Sequence, residues 1–500
     1  MELVRKQLNG YRVLQSQVQY YEQQTDLIIP DVNPDALTVV GVWGNCVVGE
    51  QALRRDKVTV GGTVPFTLLY RPENGGNTIS VKGSLNFQEV LELKDAIEDD
   101  LLFVHAEIGE MRAVILNSRK IGVQCRVLLF AWAYQRESVL ITEGVQSKPE
   151  EGLQLRTKTF SVQRMIAVYE KNLMINEEIR LNNMSVQDQL LHTILTWKTD
   201  DVRMLNKKVM VRGAVQVRLL MLEAGGNLRQ QEYALPFSQI LESNDIRTDC
   251  YAEVHYTTIQ QQTRMERREE GVFLVCGLGA KAMMEVYRES QLHTVSDLYS
   301  TRYFTDVQCV PVPVRSSKYV LISGKMQATV PVDVRVRSVS HWHCCGASAE
   351  ICGDKLRAVV HLSALWEDEE GCKYQQHITL REERETSGLC SGAICMMVQG
   401  GSVVGNGEGL TAEVQVQYRA RQQCDGQNSQ VDACELHESN PRTCYKPGTL
   451  LLRTVGEKEC AWDLARCYGT TESAIRAANH LKADQNLEEK QRVLIPFLRQ

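Results

Sequence analysis

The fold is decided by a pattern that occurs at residues 57–70, KVTVGGTVPFTLLY, and again at residues 208–221, KVMVRGAVQVRLLM. In both stretches a lysine is followed by alternating apolar residues, by a glycine in register (Gly62 or Gly213), by further alternation and by a Leu-Leu end. Apolar residues at every second position are typical of a β-strand with one buried face. The sequence therefore predicts a repeated β-strand.

Each of these strands is followed by a pair of glycines and then by a second alternating stretch. The glycine pairs are Gly75-Gly76 and Gly225-Gly226, and a strand, a glycine turn and a strand predict a β-hairpin. A fainter third copy, DKLRAVVHLSALWEDEEGCKYQQHITL, occupies residues 354–380. We therefore expect three related, mainly β domains, each an antiparallel β-sandwich or open barrel of about seven strands and ~110–150 residues.

Length, composition and charge limit the class of protein. The chain has 500 residues, 43% of them hydrophobic and 24% charged, which is typical of an ordinary globular protein with roughly three to four domains. The formal net charge is −6 and no block of like charge occurs, which argues against nucleic acid as the main ligand. No apolar stretch is of membrane-spanning length and no secretory signal is recognisable, so we expect an intracellular protein without membrane insertion.

The cysteines have two interpretations. The sequence contains 16 of them, and in a chain without an export signal reduced thiols are the default expectation. Their concentration in the last third of the chain leaves open a later oxidation in a structure exposed after its cell has died.

The last part of the chain changes from alternation to helical periodicity. Ala461, Leu464, Ala465 and Tyr468 form an apolar stripe at i, i+3, i+4 and i+7, and Gly469 stands where a helix would end. These positions predict a first short helix.

A second short helix is predicted directly after the first. Thr471 can cap it, and its inner face would contain Ala474, Ile475 and Ala478. Short apolar strands at residues 450–455 and 492–497 flank the two helices. The predicted order is β, α, α, β.

This order and the motifs WDLARCYGTT (462–471), AIRAANHL (474–481) and QRVLIP (491–496) resemble the LysM family. The resemblance implies a small domain that binds N-acetylglucosamine polymers in a shallow groove between the turn before the first helix and the loop after the second. In the family, glycines in a Gly-Asp-Thr-Leu turn and a Pro-Gly-Gln turn let the backbone approach the sugar. Here both glycines are replaced by lysine, Lys458 and Lys490.

The candidate site is this groove. Long charged side chains on both of its sides would crowd a neutral sugar, so we favour a protein partner over a glycan, with a domain that has lost its ligand as the third alternative. Two aromatic residues, Trp462 and Tyr468, are predicted to belong to the core, Trp462 at its rim. The residues that the resemblance assigns to partner or glycan binding are Lys458, Glu459, Cys460, Trp462, Asn479, Leu481, Glu489 and Lys490.

The β repeats also resemble a known family. TDLIIPDVNPDA (25–36) and the following stretch through residues 57–70 resemble the SPOCS family of spore-coat-associated domains, clearly in the first copy and only by fragments or by position in the other two. The predicted domains are SPOCS-like domains at 1–148, 149–298 and 299–420, a polar linker at 421–446 and a LysM domain at 447–500.

Tandem SPOCS domains followed by one LysM domain resemble the layout of a clostridial spore coat morphogenetic protein. The resemblance implies a non-enzymatic adaptor in the mother-cell cytoplasm that is recruited to the forespore surface. Its LysM domain would bind the spore-coat morphogenetic ATPase, and its SPOCS domains would bind other coat proteins. The alternative is binding of peptidoglycan in the cortex or the cell wall.

No pattern predicts a catalytic residue, a metal or a cofactor, since no phosphate loop, nucleophile elbow or HExxH motif occurs. The Pro-Asp pairs at 30–31 and 34–35 could supply carboxylates to a site, but they more simply set an extended backbone before the first strand. His341, His343 and Cys345 would share one face of a strand, which leaves a metal site, later crosslinking or packing as alternatives.

Overall fold

Strands make up most of the computed structural model. The residues that it describes are 1–75, 77–185, 187–314, 317–407, 409–423, 428–442, 450–482 and 485–497. Gly76, one half of a predicted glycine turn, lies outside these ranges. Among the described residues no helix is long and apolar enough to cross a lipid bilayer.

The elements follow the chain in three β units and a small mixed domain. The first unit contains β1 (Glu2–Gln15), β2 (Gln19–Ile28), β3 (Ala36–Gly44), β4 (Val47–Arg54), β5 (Lys57–Pro72), β6 (Ile79–Glu92), β7 (Leu101–Asn117) and β8 (Lys120–Gln146). After a 3-10 turn at Pro149–Glu151, the second contains β9 (Leu153–Arg180), β10 (Gln189–Leu205), β11 (Lys208–Leu222), β12 (Leu228–Glu242), β13 (Cys250–Arg268) and β14 (Gly271–Ser300). The third contains β15 (Tyr303–Pro311), β16 (Ser317–Pro331), β17 (Val336–Cys352), β18 (Lys355–Asp368), β19 (Lys373–Glu385), β20 (Gly392–Gly405), β21 (Gly409–Gln423) and β22 (Ser429–Pro441). The last domain contains β23 (Leu450–Thr454), α1 (Ala461–Tyr468), α2 (Glu472–Ala478) and β24 (Arg492–Pro496).

The same antiparallel pairing occurs three times. The strand of the repeated motif lies between the strands before and after it: β5 between β3 or β4 and β6, β11 between β10 and β12, and β18 between β17 and β19. The end of each unit pairs with its start: β8 with β1 and β2, β14 with β9, and β21 and β22 with β16 and β15. The prediction of a mainly β, antiparallel fold with a small helical domain at the C-terminal end is confirmed. We propose that the chain consists of three β units, each defined by this pattern of strand pairing, and the small C-terminal domain.

The predicted linker at 421–446 is wrong over most of its described part. Residues Ser429–Pro441 form β22, which pairs with β15 in the place where the ends of β8 and β14 pair with the starts of β1 and β9. Its composition is polar because it needs few apolar side chains. Val431 and Cys434 suffice, since they pack against Val295 and Leu298 of the second unit.

The three units close into one body. Leu69, Leu220 and Leu365 occupy the same position in the three hairpins, and they pack together in one apolar cluster. Hydrogen bonds join the units in a ring. The Gln375 side chain accepts from the Val42 amide at 2.8 Å and donates to its carbonyl at 2.9 Å, Asn45 Nδ2 donates to the Thr193 carbonyl at 2.8 Å, and Lys373 Nζ donates to the Gly226 carbonyl at 2.6 Å.

Candidate partner-binding site in the C-terminal domain

The last domain folds as β, α, α, β, as its sequence predicts. Strands β23 and β24 form an antiparallel pair, with Thr454 opposite Arg492. Helix α1 ends at Gly469, whose φ of 66° is the left-handed conformation that glycine adopts without steric cost. The Thr471 hydroxyl accepts a hydrogen bond from the Ala474 amide at 3.1 Å and so caps α2.

Lys458 and Lys490 lie in two turns at the same end of the two-stranded sheet. Val455 accepts a hydrogen bond from the Lys490 amide at 3.0 Å and donates one to the Gln491 carbonyl at 2.9 Å, so residues 456–460 and 488–491 are neighbours. We call these two segments the turn pair. Both lysines are exposed, and their φ values of 60° and 64° lie in the left-handed region that favours glycine. Both lysines therefore stand in a backbone conformation that glycine would adopt at lower cost.

The turn pair carries both signs of charge, since glutamates accompany the lysine in each turn. Each lysine has glutamates beside it, in Glu457-Lys458-Glu459 and in Glu488-Glu489-Lys490. Glu459 lies inward, since its carboxylate accepts from the Gly456 amide at 2.6 Å. Glu489 is exposed, with its carboxylate 4.0 Å from Lys490 Nζ.

Three other predicted site residues have structural contacts. Cys460 precedes α1, where its amide donates to Asp463 Oδ2 at 3.0 Å; burial and the hydrogen bond to Asp463 raise the pKa of its thiol. Asn479 joins α2 to β24, because its amide group bonds both the amide and the carbonyl of Leu494 at 2.7 Å. Leu481 is half-buried, and its amide donates to the Arg476 carbonyl at 3.0 Å. Their polar groups are therefore occupied within the domain.

The assignment of Trp462 to the groove is wrong. Its side chain is only 5% exposed because it packs against the end of β14 in the second unit. The indole Nε1 donates to Asp297 Oδ2 at 2.8 Å, and the ring meets Tyr299 edge-on with 4.8 Å between centroids. The expected order of the two aromatic residues is also reversed, since Trp462 is buried and Tyr468 is half-buried.

The contact between the LysM domain and the second unit was missed by sequence reasoning. Arg466 donates to both carboxylate oxygens of Asp297 at 3.1 and 3.0 Å, and the Tyr299 hydroxyl donates to the Thr470 carbonyl at 2.8 Å. Burial raises the pKa of Tyr299 above its ordinary value. No motif marks Asp297 or Tyr299, and the register shift between Val295 and Asp297 interrupts the alternation of β14 at this place.

The Pro-Asp pairs have a structural role, as the simpler interpretation had it. Arg119 forms ion pairs with both carboxylates, Asp31 at 2.9 Å and Asp35 at 3.0 Å, and it also donates to the carbonyls of Ile29 and Asn33. Hydrogen bonding to Arg119 lowers the pKa of Asp35. The carboxylates thus hold the segment before β3 in place.

The histidine and cysteine motif lies in β17 at the junction of the units. His341 and His343 stack with 5.3 Å between ring centroids, and Cys345 Sγ is 3.6 Å from His343 Nε2, so the three residues share one face as expected. Within the described ranges, three or more metal-ligating atoms approach one another only in the Asp368, Glu370 and Cys372 group. There the Asp368 carboxylate already accepts from two backbone amides of its turn.

Comparison with known families agrees with the two folds. Residues 35–116, which cover β3 to nearly the end of β7, match the SipL, SPOCS domain, and residues 454–496 match the LysM domain. The domain content is SipL-like. No curated protein and no solved structure is significantly similar to the chain. Both domains are of binding type, and they fit a sporulation-related protein with a domain of the peptidoglycan-binding kind.

Proposed function

We propose that this protein is a non-enzymatic adaptor of spore coat assembly. Its turn pair binds the coat morphogenetic ATPase at the forespore surface, in the mother-cell cytoplasm, while its SPOCS units bind other coat proteins. The observation that carries the proposal is the presence of two exposed lysines, Lys458 and Lys490, in left-handed positions that glycine occupies in the LysM family.

A charged turn pair suits a protein surface better than a neutral sugar. A lysine in the left-handed region costs roughly 1 kcal/mol that glycine would avoid, so each of these two lysines lowers the stability of its turn. The exposed Lys458, Glu489 and Lys490 offer both signs of charge within one small area. Such complementary charges fix the register of a protein complex and exclude wrong partners.

The test restores the glycines of the family. In the full-length chain, Lys458→Gly with Lys490→Gly removes both charges while easing the backbone, so the domain stays folded and any loss of binding reports the side chains. We expect the affinity for purified coat ATPase, measured by biolayer interferometry, to fall at least about tenfold, which corresponds to ~1.4 kcal/mol.

The matched control is Lys207→Gly. Lys207 has a φ of 62° and is exposed in the turn between β10 and β11, so this substitution makes the same chemical change outside the LysM domain. It should leave the affinity unchanged. Equal affinity of the double variant and the natural chain would refute the proposed site.

Peptidoglycan binding is the second candidate function, favoured by the match of residues 454–496 to the LysM domain. Cosedimentation of the full chain with purified sacculi, with chitin oligomers as competitor, tests it. Competed binding that increases in the double glycine variant would support a glycan ligand. Absence of cosedimentation in both forms would eliminate it.

A further inference from the structure

A cysteine and a histidine meet where the second and third units join. Cys395 on β20 and His255 on β13 approach with 3.4 Å between Sγ and Nδ1. The other ring nitrogen, Nε2, lies 3.5 Å from Glu285 Oε1 on β14. His255 is 6% exposed and Glu285 is completely buried, whereas Cys395 is half-buried and so keeps some access to solvent. The Cys395 thiol, the His255 imidazole and the Glu285 carboxylate thus lie in a row, with the carboxylate at the buried end.

Glu285 is held as a carboxylate by side chains from all three units. Burial opposes its charge, but Arg421, His255 and Tyr287 hold its pKa below the usual range. The negative charge of the Glu285 carboxylate favours the protonated form of His255. The donors to Glu285 are Tyr134 at 2.7 Å, Tyr287 at 2.6 Å, Tyr319 at 2.7 Å and Arg421 Nη2 at 2.6 Å.

His255 is fixed in orientation and charged. Its ring meets Trp132 edge-on at 4.8 Å and lies 5.8 Å from Phe103. Burial lowers the pKa of His255, but Cys395 and Glu285 outweigh burial and raise it to about 10. An imidazolium beside a thiol stabilises the thiolate, which is the nucleophilic form.

The second Cys-His contact in β17 shows why the carboxylate matters. Cys345 Sγ lies 3.6 Å from His343 Nε2, nearly the same distance as in the first pair. Burial and the neighbouring His192 and His341 lower the pKa of His343 far below its ordinary value, so that ring stays neutral. Burial also raises the pKa of Cys345. The same two residue types without a buried anion therefore form an inert pair.

We propose that Cys395 is a reactive thiol that exchanges with low-molecular-weight disulfides, with His255 as its proton partner and Glu285 as the positioning group. The Cys395 thiolate attacks one sulfur of the disulfide, a new S–S bond forms, and the original S–S bond breaks. The leaving thiolate takes the proton of the His255 imidazolium, which leaves a neutral imidazole, a mixed disulfide on Cys395 and one free small thiol. The balance needs no other reactant.

The first experiment measures how alkylation depends on pH, because the ratio of rates at two pH values cancels differences in access. The full-length reduced protein is treated with iodoacetamide at pH 6.0 and 8.5, and each cysteine is followed by peptide mass spectrometry. An ordinary thiol should react about 100-fold faster at the higher pH. The exposed Cys309 and Cys467 serve as internal controls. For Cys395 we expect less than a tenfold change.

A Cys395 rate that rises as steeply as that of Cys467, or no labelling of Cys395 in the folded protein, overturns the proposal; burial raises the pKa of Cys309, so Cys467 is the reference thiol. The groups that face His255 or its carboxylate partner are Glu253, Glu285 and Tyr287 on β13 and β14, Tyr134 on β8, Tyr319 on β16, Cys395 on β20, and Arg419 and Arg421 on β21.

Two variants and a reaction with glutathione disulfide in place of iodoacetamide complete the test. His255→Asn removes the imidazolium and should give Cys395 the steep pH dependence of an ordinary thiol; if this variant does not fold, the profile of the natural chain still decides. With glutathione disulfide at pH 7, the mixed disulfide should form on Cys395 before it forms on Cys309 or Cys467, and Cys395→Ser should abolish that first adduct. Equal or later modification of Cys395 contradicts the proposal.

Discussion

At the scale of single residues, the two lysines of the turn pair could be located from sequence and Trp462 could not be placed correctly. A left-handed turn is a local property, so the LysM motif identifies Lys458 and Lys490 as its occupants. The environment of Trp462 depends on Asp297 and Tyr299, which lie far earlier in the sequence. Asp297, which accepts the hydrogen bond of the indole, precedes Trp462 by 165 residues. A local motif contains no information about such a contact.

The contact of Trp462 and Arg466 with Asp297 predicts that one carboxylate holds the LysM domain against the second unit. Asp297→Asn removes the charge that Arg466 pairs with and half of the acceptor capacity for both donors. Loss of charged hydrogen bonds at this partly exposed site should weaken docking by about 1–2 kcal/mol. Hydrogen exchange of the α1 amides should accelerate, while that of β11 stays the same.

The control for docking is Asp306→Asn. Asp306 pairs with His437 on the surface, where its side chain is 81% exposed, so this change should not alter exchange in α1. Unchanged α1 exchange in Asp297→Asn would mean that the Asp297 carboxylate is not needed to hold the domain against the second unit.

At the scale of elements, predictability follows the number of apolar side chains that a strand itself contains. β5 and β11 each have a nearly continuous buried face, and their alternation identified them at once. β22 buries few residues, since β1, β8, β9, β14 and β15 supply most of the apolar surface around it, and its sequence therefore resembles a linker. A strand of this kind is visible only when its partner is known.

Strand β17 makes a prediction about pH, because burial lowers the pKa of His341 to about 4 and that of His343 still further from its ordinary value. The unfolded chain binds these protons near pH 6.5, whereas the folded protein does not, so stability is present above pH 6.5 and falls as the pH decreases toward 4. His343→Gln should make this loss less steep, by up to about 1.4 kcal/mol per pH unit.

Urea unfolding at several pH values between 4 and 7 measures the slope. The control is His437→Gln on β22, a partly exposed histidine that pairs with Asp306, and we expect the slope of His343→Gln to be less steep than that of this control. A lower stability of His343→Gln than of the natural chain at pH 7 does not affect the test, which concerns the slope alone. Parallel curves for both variants and the natural chain would show that His343 is protonated in the folded state.

At the scale of the whole molecule, the sequence predicts three β units but not that they close into a ring. Period-2 patterns identify the strands that contain Leu69, Leu220 and Leu365, yet nothing in them indicates that these three leucines meet. The polar junction is equally hidden, because Glu285 is one of three acidic residues of β14 and no motif distinguishes it from the other two. Both clusters arise only from contacts between units.

Glu285 should therefore control the stability of the whole β body. Glu285→Gln leaves Arg421 buried without its counter-charge, and breaking a buried ion pair costs about 3–5 kcal/mol. We expect a loss of this size in urea unfolding, whereas Glu383→Gln, which removes an exposed partner of Lys355 and Arg357, should leave the unfolding midpoint nearly unchanged. Adding Arg421→Met to Glu285→Gln should recover part of the loss, because no uncompensated charge then remains. A loss below about 1 kcal/mol for Glu285→Gln would show that the three units do not depend on one another through this junction.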